Sequence, residues 1–253
     1  QTATALWLAW YYLARRSAVR LRMKNLPPRA ILLKETLSVG AAAFFRQAAS
    51  SISLIVVNGS LAALGGGAAV AAYGIVNRLL LFAVMPVYGI VQGLLPIVGF
   101  NYGAKQFCRV LSAMRRSIAS ATVLCTAGAA ALFFFPGESV DFFTSSPEVR
   151  RAGMDAARIL APGMLVTGFQ IMASGLFQAL GKAGPSFVLS LLRQVILLIP
   201  LVLLFSRLFG LFGVWLAFPL SDFAASLLTF AIYRREMLRL REFCETGDDP
   251  TAS

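Results

Sequence analysis

Histidine is absent from this 253-residue sequence, and only 13% of the residues are charged. Without histidine, a serine–histidine triad, a histidine metal site and a histidine proton relay are all excluded within the chain. A soluble domain usually has about 25% charged residues. Here 58% of the residues are hydrophobic instead, so the composition indicates an integral membrane protein.

Cysteine is also scarce. The three cysteines, Cys108, Cys125 and Cys244, are odd in number and lack the spacing of a metal site. We therefore expect free thiols and no bound metal. The glycine run Gly65–Gly67 is not followed by the Lys and Ser or Thr of a phosphate-binding loop. No paired carboxylates lie within one apolar run either, so we predict neither an enzyme nor a cofactor.

Apolar runs separated by polar turns divide the chain into four parts. We interpret 1–13 as the end of a membrane helix, 14–35 as a basic linker, and 36–233 as six membrane helices. Residues 234–253 form a charged tail for which we expect disorder. The first run is shorter than the about 20 residues that a bilayer requires. We therefore expect further membrane helices in an N-terminal part that precedes this chain.

The fold class that these runs predict is an all-α integral membrane protein, because they lack the period-2 alternation of a membrane barrel. The six expected spans cover about 36–58, 70–94, 117–135, 159–180, 186–205 and 214–233. We expect a turn at Gly65–Gly67, a polar loop over 136–148, and a short connection over 208–213.

The net charge of +12 comes from basic residues at the ends of the spans, which argues against a nucleic-acid partner. Alternate loops, counted with their adjoining span ends, hold seventeen basic residues in one set and four in the other. Because basic residues concentrate on the cytoplasmic side, the linker and the C-terminal tail are predicted to be cytoplasmic.

Polar side chains recur at helical spacing within the apolar runs. The four faces are Arg46, Gln47, Ser50 and Ser53; Tyr73, Asn77 and Arg78; Thr167, Gln170, Ser174 and Gln178; Asp222, Ser226 and Thr229. Serines such as Ser50, Ser174 and Ser226 are expected to form hydrogen bonds between helices. Charges at this depth need a cavity or a partner. Asp222 therefore either has a functional role or neutralises an arginine such as Arg193.

A series of short motifs runs through the chain between about residues 35 and 240. In order they are 73–78 (YGIVNR), 89–93 (GIVQG), 96–104 (PIVGFNYGA), 109–110 (RV), 177–182 (FQALGK), 193–194 (RQ), 199–201 (IPL), 210–215 (GLFGVW) and 219–222 (PLSD). With these motifs the chain resembles the C-terminal half of the multidrug and toxic compound extrusion (MATE) family, in its MepA-like branch.

The resemblance implies a twelve-helix transporter of two six-helix lobes, with a substrate cleft between the lobes. This chain would supply the end of helix 6 and the whole C-terminal lobe, and its missing partner would be the N-terminal lobe. The family exchanges H⁺ or Na⁺ for amphipathic organic cations across the cytoplasmic membrane by alternating access. The substrate-cleft candidates are Arg46, Gln47, Tyr73, Asn77, Arg78, Gln170 and Gln178.

One position departs from the family pattern. Arg46 stands where the NorM-like branch has an acidic coupling residue, and an arginine binds neither Na⁺ nor a proton as a carboxylate does. Asp222 is then the local candidate for the coupling ion, unless that acid lies in the N-terminal lobe. The hinge candidates are Pro86, Gly93, Pro96 and Gly99 in the stretch that joins the second and third spans.

Two alternatives to drug export stay open at this point. Arg46 and Arg78 would suit the pyrophosphate of a lipid-linked saccharide, as in a flippase of the wider superfamily. The chain could also be an inactive, truncated fragment, since it starts within an apolar run.

Overall fold

The computed structural model of the chain describes residues 2–13, 30–182, 184, 188–189 and 191–246, with most side chains described from Gln47 onward. The chain divides into two compact units, Gln1–Phe45 and Arg46–Ser253. In the first unit, helix α1 covers Thr2–Leu13, and the rings of Trp7 and Tyr11 stack with centroids 5.9 Å apart. A second helix begins at Ala30 and continues into the second unit.

The second unit is built from long helices. The helix Ala30–Gly103 is broken at Gly66, where φ is 62°, and so forms α2 (30–65) and α3 (67–103). Helix α4 is Phe107–Phe134, α5 is Pro136–Asp141, α6 is Pro147–Leu160 and α7 is Met164–Ala179. A break at Gly210, with φ of 59°, separates α8 (191–209) from α9 (211–246).

The two glycine breaks allow the chain to reverse direction in the membrane. Residues Gln47–Gly103 number 57 and, as a straight helix, would extend roughly 85 Å at 1.5 Å per residue. The bilayer core is only about 30 Å thick. Glycine alone adopts positive φ without strain, so Gly66 and Gly210 are the positions at which such a helix turns back.

The described part of the chain consists of helices joined by short turns and carries no strand, as the fold-class prediction requires. Its apolar helices long enough for a membrane are Gln47–Gly103, Phe107–Phe134, Pro147–Ala179 and Leu192–Glu245. With the breaks at Gly66 and Gly210, these described segments amount to six crossings: α2, α3, α4, α6 with α7, α8 and α9.

The polar loop expected over 136–148 is partly helical. Pro136 and Pro147 each occupy the first turn of a helix, α5 and α6, where proline's fixed φ fits and its missing N–H costs nothing. Arg150 Nε donates to Asp141 Oδ1 at 2.5 Å and connects the two helices. This hydrogen bond lowers the pKa of the exposed Asp141 carboxyl, so the pair stays charged at neutral pH.

Helices approach one another closely where glycine faces a neighbouring backbone. A Cβ built on Gly168 of α7 would lie 2.8 Å from the Ala121 carbonyl oxygen of α4, and one on Gly128 would lie 2.7 Å from Ala83 Cβ. Small residues at such contacts are typical of membrane helix packing, because van der Waals contact replaces the hydrophobic effect as the driving force.

Residues 234–246 differ from the disorder expected of the C-terminal tail, because α9 continues as a helix to Thr246. The rest of the tail, 247–253, lies outside the described residues. Leu240 is only 1% exposed and belongs to the same buried cluster as Phe107 and Met114 of α4. Lys182 Nζ lies 2.6 Å from Glu236 Oε1 and adds an ion pair. Apart from Glu236, the charged residues of this described segment lie on the exposed face of a docked helix.

The expectation of three free thiols is wrong for two of them. Cys108 and Cys244 form a disulfide, with Cα atoms 5.1 Å apart although 136 residues separate them in sequence. An odd number of cysteines does not exclude a disulfide between two of them, and the sequence does not show which two lie close together in the fold. Cys125 is the free cysteine of the described residues, and it is buried.

Candidate polar cavity in the helical bundle

A cavity of about 530 Å³ lies within the second unit. Helices α2, α3, α6, α7, α8 and α9 all contribute to its walls. The polar lining residues are Gln47, Ser50, Ser53, Tyr73, Asn77, Tyr88, Thr167, Arg193, Gln194, Ser221 and Asp222, and the apolar ones are Leu54, Val57, Leu80, Leu81, Val84, Leu160, Met164, Leu198 and Phe218. Polar groups and apolar surface therefore meet at the depth of the membrane helices.

An ion pair lies in the wall of this cavity. Arg193 Nε of α8 donates to Asp222 Oδ1 of α9 at 2.5 Å. Among the described lining residues these two are the charged ones, so their charges cancel within the wall. The carboxylate side chain is 12% exposed, whereas the arginine side chain is 38% exposed. The Arg193 guanidinium is therefore the more exposed partner at the cavity surface, and the Asp222 carboxylate lies deeper in the wall.

Two contacts hold Asp222 in place. Gln170 Nε2 of α7 donates to the Asp222 carbonyl oxygen at 2.6 Å. Gly163 lies in the 3₁₀ turn Ala161–Gly163 between α6 and α7, and a Cβ added there would be 2.7 Å from Asp222 Oδ2. The carboxylate thus fits against a backbone position that has room only for glycine.

Arg193 and Gln194 belong to an irregular part of α8. Residues Leu192–Leu197 form a π-helix, a conformation that is rare and often found at functional sites. Gln194 Oε1 accepts a hydrogen bond from Ser50 Oγ at 2.6 Å, and its backbone carbonyl accepts one from Ser53 Oγ at 2.5 Å. The π-helical segment is thereby bonded to α2 on one side and to Asp222 of α9 on the other.

An aromatic group forms part of the apolar wall. The Tyr73 ring of α3 lies 5.4 Å from the Phe218 ring and 6.3 Å from the Trp215 ring, measured between centroids. Tyr73 and Phe218 both line the cavity, and Tyr73 is only 8% exposed. Such a group offers flat apolar surface to a ligand without exposing it to lipid.

The structure brings four of the predicted residues together. Gln47, Tyr73, Asn77 and Asp222 all line the cavity. Gln170 is only 8% exposed and is not a lining residue, but its side chain donates to the Asp222 backbone carbonyl. The neutralising contact expected between Asp222 and Arg193 is present, and Ser50 makes the bond between helices expected of it.

Two other predicted residues are not among the described lining residues. Arg78 follows Asn77 but is rotated about 100° around the helix axis, which leaves it exposed on another face. Gln178 is exposed too, and it lies two turns beyond Gln170, roughly 12 Å along α7. Arg46 is part of helix α2, but its side chain lies outside the described part of the structure.

The hinge candidates Pro86, Gly93, Pro96 and Gly99 all lie within helix α3. Helical geometry continues to Gly103, so the junction with α4 is the short turn at 104–106, where Lys105 has φ of 59°. A Cβ on Gly99 would be 3.6 Å from the Ala179 carbonyl oxygen, whereas one on Gly93 would meet nothing within 4 Å. Close packing is therefore found at Gly99 and not at Gly93.

Sequence reasoning missed Gln194 as a residue of the site. The motif Arg193-Gln194 belongs to the series in the sequence, but a π-helix within an apolar run has no signal in the residue types. For metals, the described residues contain no group of three acidic, histidine or cysteine side chains that could hold an ion.

These features define an all-α membrane bundle with a polar cavity that has an ion pair in its wall. Known structures share this fold. The structure described as "Outward-facing conformation of a multidrug resistance MATE family transporter of the MOP superfamily" matches with a TM-score of 0.82 and 23% identity. The match covers 95% of this chain and 55% of that one.

A second solved structure, "Crystal structure of MATE in complex with MaL6", matches with a TM-score of 0.83 and 23% identity, over 95% of this chain and 55% of that one. At this identity the likeness establishes the fold. The MatE family model matches residues 42–204, which is more than half of the sequence. The chain belongs to the MatE family.

Two curated relatives bear the name multidrug export protein MepA. The protein of Staphylococcus aureus (strain MSSA476) is 26% identical over 249 residues, covering 96% of this chain and 54% of that protein. The protein of Staphylococcus haemolyticus (strain JCSC1435) is 24% identical over 224 residues, covering 88% and 49% respectively. The chain thus spans about half the length of the curated relatives it matches.

Proposed function

We propose that this chain is the C-terminal, six-helix lobe of a transporter that exports amphipathic organic compounds across the cytoplasmic membrane. Membership of the MatE family and the names of the relatives support export as the activity. The twofold greater length of those relatives supports a second, N-terminal lobe as the partner. Substrate would move by alternating access of a cleft between the two lobes.

The single observation that carries this proposal is the polar cavity inside an apolar bundle. Polar groups at membrane depth are costly unless they bind one another or line a water-filled path. A bundle that served only as an anchor would have no use for a cavity of about 530 Å³ lined by Gln47, Asn77 and an ion pair. Such a lining is suited to a solute that carries both polar and apolar groups.

Substrate contact would divide between two kinds of wall. The amides of Gln47 and Asn77 offer both donors and acceptors to polar groups of the solute. Tyr73, Tyr88 and Leu54 offer aromatic and aliphatic surface. Because apolar contacts are not directional, a wall of this kind accepts solutes of different shape, which is the property that multidrug export requires.

Asp222 is the residue that we propose to bind the coupling ion, H⁺ or Na⁺. Its carboxylate is compensated by Arg193 in the structure. A proton or Na⁺ on Asp222 would replace that compensation and release the guanidinium. Because Gln194 follows Arg193 in the same π-helical segment and is bonded to Ser50 and Ser53, the release would act on the contact between α8 and α2.

The proposed orientation places the turn at 104–106 and the end of α9 in the cytoplasm. Lys105, Arg109, Arg115 and Arg116 cluster after this turn, and Arg234, Arg235, Arg239 and Arg241 occupy the end of α9. The opposite side, around α5 and the start of α6, holds fewer basic residues, and Arg150 there is paired with Asp141. This distribution follows the positive-inside rule.

The flippase alternative has less support from the cavity. Arg78, one of the two arginines that would have bound a pyrophosphate, is not among the described lining residues. Arg193 does reach the cavity, but Asp222 already neutralises it. A doubly charged lipid pyrophosphate would need excess positive charge in the wall.

Dye accumulation in energised cells tests the proposal. Cells that express the full-length protein with this lobe should hold less of a fluorescent cationic dye than cells with an empty vector. At equal expression, cells with the Asp222→Asn variant should hold as much dye as cells with an empty vector. Arg150→Gln, which breaks the exposed pair with Asp141 on another part of the lobe, is the matched control and should export normally. Equal dye in expressing and vector cells would refute export.

A further inference from the structure

The disulfide between Cys108 and Cys244 joins two helix ends that are distant in sequence. Cys108 lies in the first turn of α4, directly after the turn at 104–106. Cys244 lies in the last turn of α9, which ends at Thr246. Their Cα atoms are 5.1 Å apart, which is within the range that a disulfide needs without movement of the backbone.

Cys108 lies in exposed, positively charged surroundings, which are typical of reactive cysteines. Cys108 is exposed and lies in the first turn of α4, which begins without a side-chain cap. Of the first-turn N–H groups, those of Arg109 and Val110 donate to the Gln106 carbonyl oxygen. Lys105 and Arg109 add positive charge on either side in sequence. Helix N-termini and basic neighbours both favour the thiolate, which is the form that attacks an oxidant. Cys125 is a contrast, since it is buried in the middle of α4.

The cellular compartment of the two cysteines decides whether they are normally oxidised or reduced, and that compartment rests on the proposed orientation. Both cysteines lie at the end of the bundle that the basic residues place in the cytoplasm. Cytoplasmic thiols are kept reduced, and disulfides that form there are usually transient or redox-sensing. A cytoplasmic pair that is already in bonding position would be reduced under ordinary conditions and oxidised when peroxide rises.

We propose that Cys108 and Cys244 form a reversible thiol–disulfide site that responds to hydroperoxides. The Cys108 thiolate attacks one peroxide oxygen, the O–O bond breaks, and the products are a sulfenic acid and, after protonation, water or an alcohol. The Cys244 thiol then attacks the Cys108 sulfur, the S–O bond breaks and water leaves. The two thiols lose two electrons in total, and the peroxide gains them.

The bond fixes the end of α9 to the start of α4. The Phe107 and Phe243 rings lie 5.5 Å apart beside the cysteines, and Leu240 is buried against α4. These contacts join the two helix ends beside the cysteines in addition to the disulfide itself. Once formed, the bond prevents α9 from leaving α4 next to the junction at Lys105, where the chain passes from α3 into α4.

The experiment uses inverted membrane vesicles that contain the full-length protein, so that the cytoplasmic side faces outward. A membrane-impermeant maleimide coupled to polyethylene glycol is added with and without prior treatment with hydrogen peroxide. We expect peroxide to remove two maleimide additions per protein, and a thiol reductant to restore both. In Cys108→Ser protein, Cys244 should keep its addition after peroxide. In Cys244→Ser protein, peroxide should remove at most the one addition on Cys108, as a sulfenic acid. Cys125→Ser protein should behave like the parent.

The pairing itself is read from a protease site inserted between Thr144 and Ser145, which is cleaved after the vesicles are dissolved in detergent because the proposed orientation places it on their inner side. After cleavage, oxidised protein should migrate as one species without reductant and as two with it. Two species under both conditions would overturn the inference. So would labelling of both cysteines only from the outer side of sealed cells, which would make the bond a permanent one of an oxidising compartment. Both readouts are independent of dye export, so a failure of the proposed transport function would remain distinguishable.

Discussion

At the scale of single residues, the ion pair in the cavity wall is asymmetric. The Asp222 side chain is 12% exposed and the Arg193 side chain is 38% exposed. An unpaired charge costs most where water cannot reach it. The carboxylate therefore depends on the arginine more than the arginine depends on the carboxylate, since the guanidinium borders the cavity.

This asymmetry predicts different effects of removing each partner. Arg193→Gln leaves a carboxylate buried without its cation and should lower the free energy of unfolding by about 2–3 kcal/mol. Asp222→Asn leaves an arginine that water in the cavity can solvate, and should cost about 1 kcal/mol. Thermal unfolding of the purified protein in detergent measures both. Equal losses for the two variants would contradict the geometry.

Gly163 allows a second test at the residue scale. A Cβ there would lie 2.7 Å from Asp222 Oδ2 and 3.3 Å from Pro219 Cα. Gly163→Ala should therefore destabilise the protein by about 1–3 kcal/mol through overpacking. Gly59 is also helical, but a Cβ there meets nothing within 4 Å. Gly59→Ala is the matched control and should be neutral or stabilising by up to about 1 kcal/mol, measured in the same unfolding assay.

At the scale of helices, the π-helical segment of α8 sets the direction of Arg193. A π-helix fits more residues into a turn than an α-helix does. Deleting Val195 would let the segment adopt α geometry, and each residue contributes about 100° of rotation in an α-helix. Arg193 would then turn away from Asp222, and the Gln194 carbonyl would turn away from Ser53.

We accordingly expect the Val195 deletion to reproduce the loss of stability of Arg193→Gln and to abolish dye export. Val195→Ala keeps the length of the segment and serves as the control, with nearly normal export. If the deletion variant folded and exported dye like the parent, the π-helical geometry would have no part in the site.

Helix α3 is where we place the bending that opens and closes the cleft. Pro86 cannot donate a hydrogen bond to the carbonyl of Phe82, which weakens the helix at that turn. Pro86→Ala restores the donor and should stiffen α3. A side chain at Gly93 meets no neighbour, so Gly93→Leu should fold. We predict that the double variant unfolds at the same temperature or higher but exports dye several-fold more slowly. An unchanged rate would remove the hinge assignment.

Two features of the structure could be predicted from the residue types alone. The pairing of Asp222 with Arg193 was accessible, because a carboxylate among apolar residues requires compensation. The glycine breaks were accessible as well, since Gly66 and Gly210 lie within connections that glycine-rich stretches indicated. Both inferences depend on local chemistry that the residue types carry with them.

Other features depend on three-dimensional placement and had no such signal. Gln170 and Gln178 share a helical line with Thr167, but of these three only Thr167 is among the described residues that line the cavity. The π-helix is a change in hydrogen-bond pattern within an apolar run, and Cys108 and Cys244 meet across 136 residues. Periodicity gives the direction of a side chain around its own helix. It does not give the distance to the helices packed against it.

At the scale of the whole molecule, apolar side chains cover the outside of the bundle and polar ones line its cavity. Leu227, in the middle of α9, is 73% exposed, and Phe100 is 77% exposed. Asn77 of α3, by contrast, lines the cavity. The central claim is that this cavity is a water-filled part of the path of the exported compound, whereas the outer surface contacts lipid.

Cysteine accessibility tests this claim most directly. In full-length protein whose Cys108, Cys125 and Cys244 are replaced by Ser, a single Asn77→Cys is compared with a single Leu227→Cys. A water-soluble thiol reagent applied to native membranes should label Asn77→Cys and leave Leu227→Cys unlabelled, because the reagent does not enter lipid. A transported cationic dye should slow labelling of Asn77→Cys. The account is contradicted if Asn77→Cys is unreactive, or if saturating dye leaves its labelling rate unchanged.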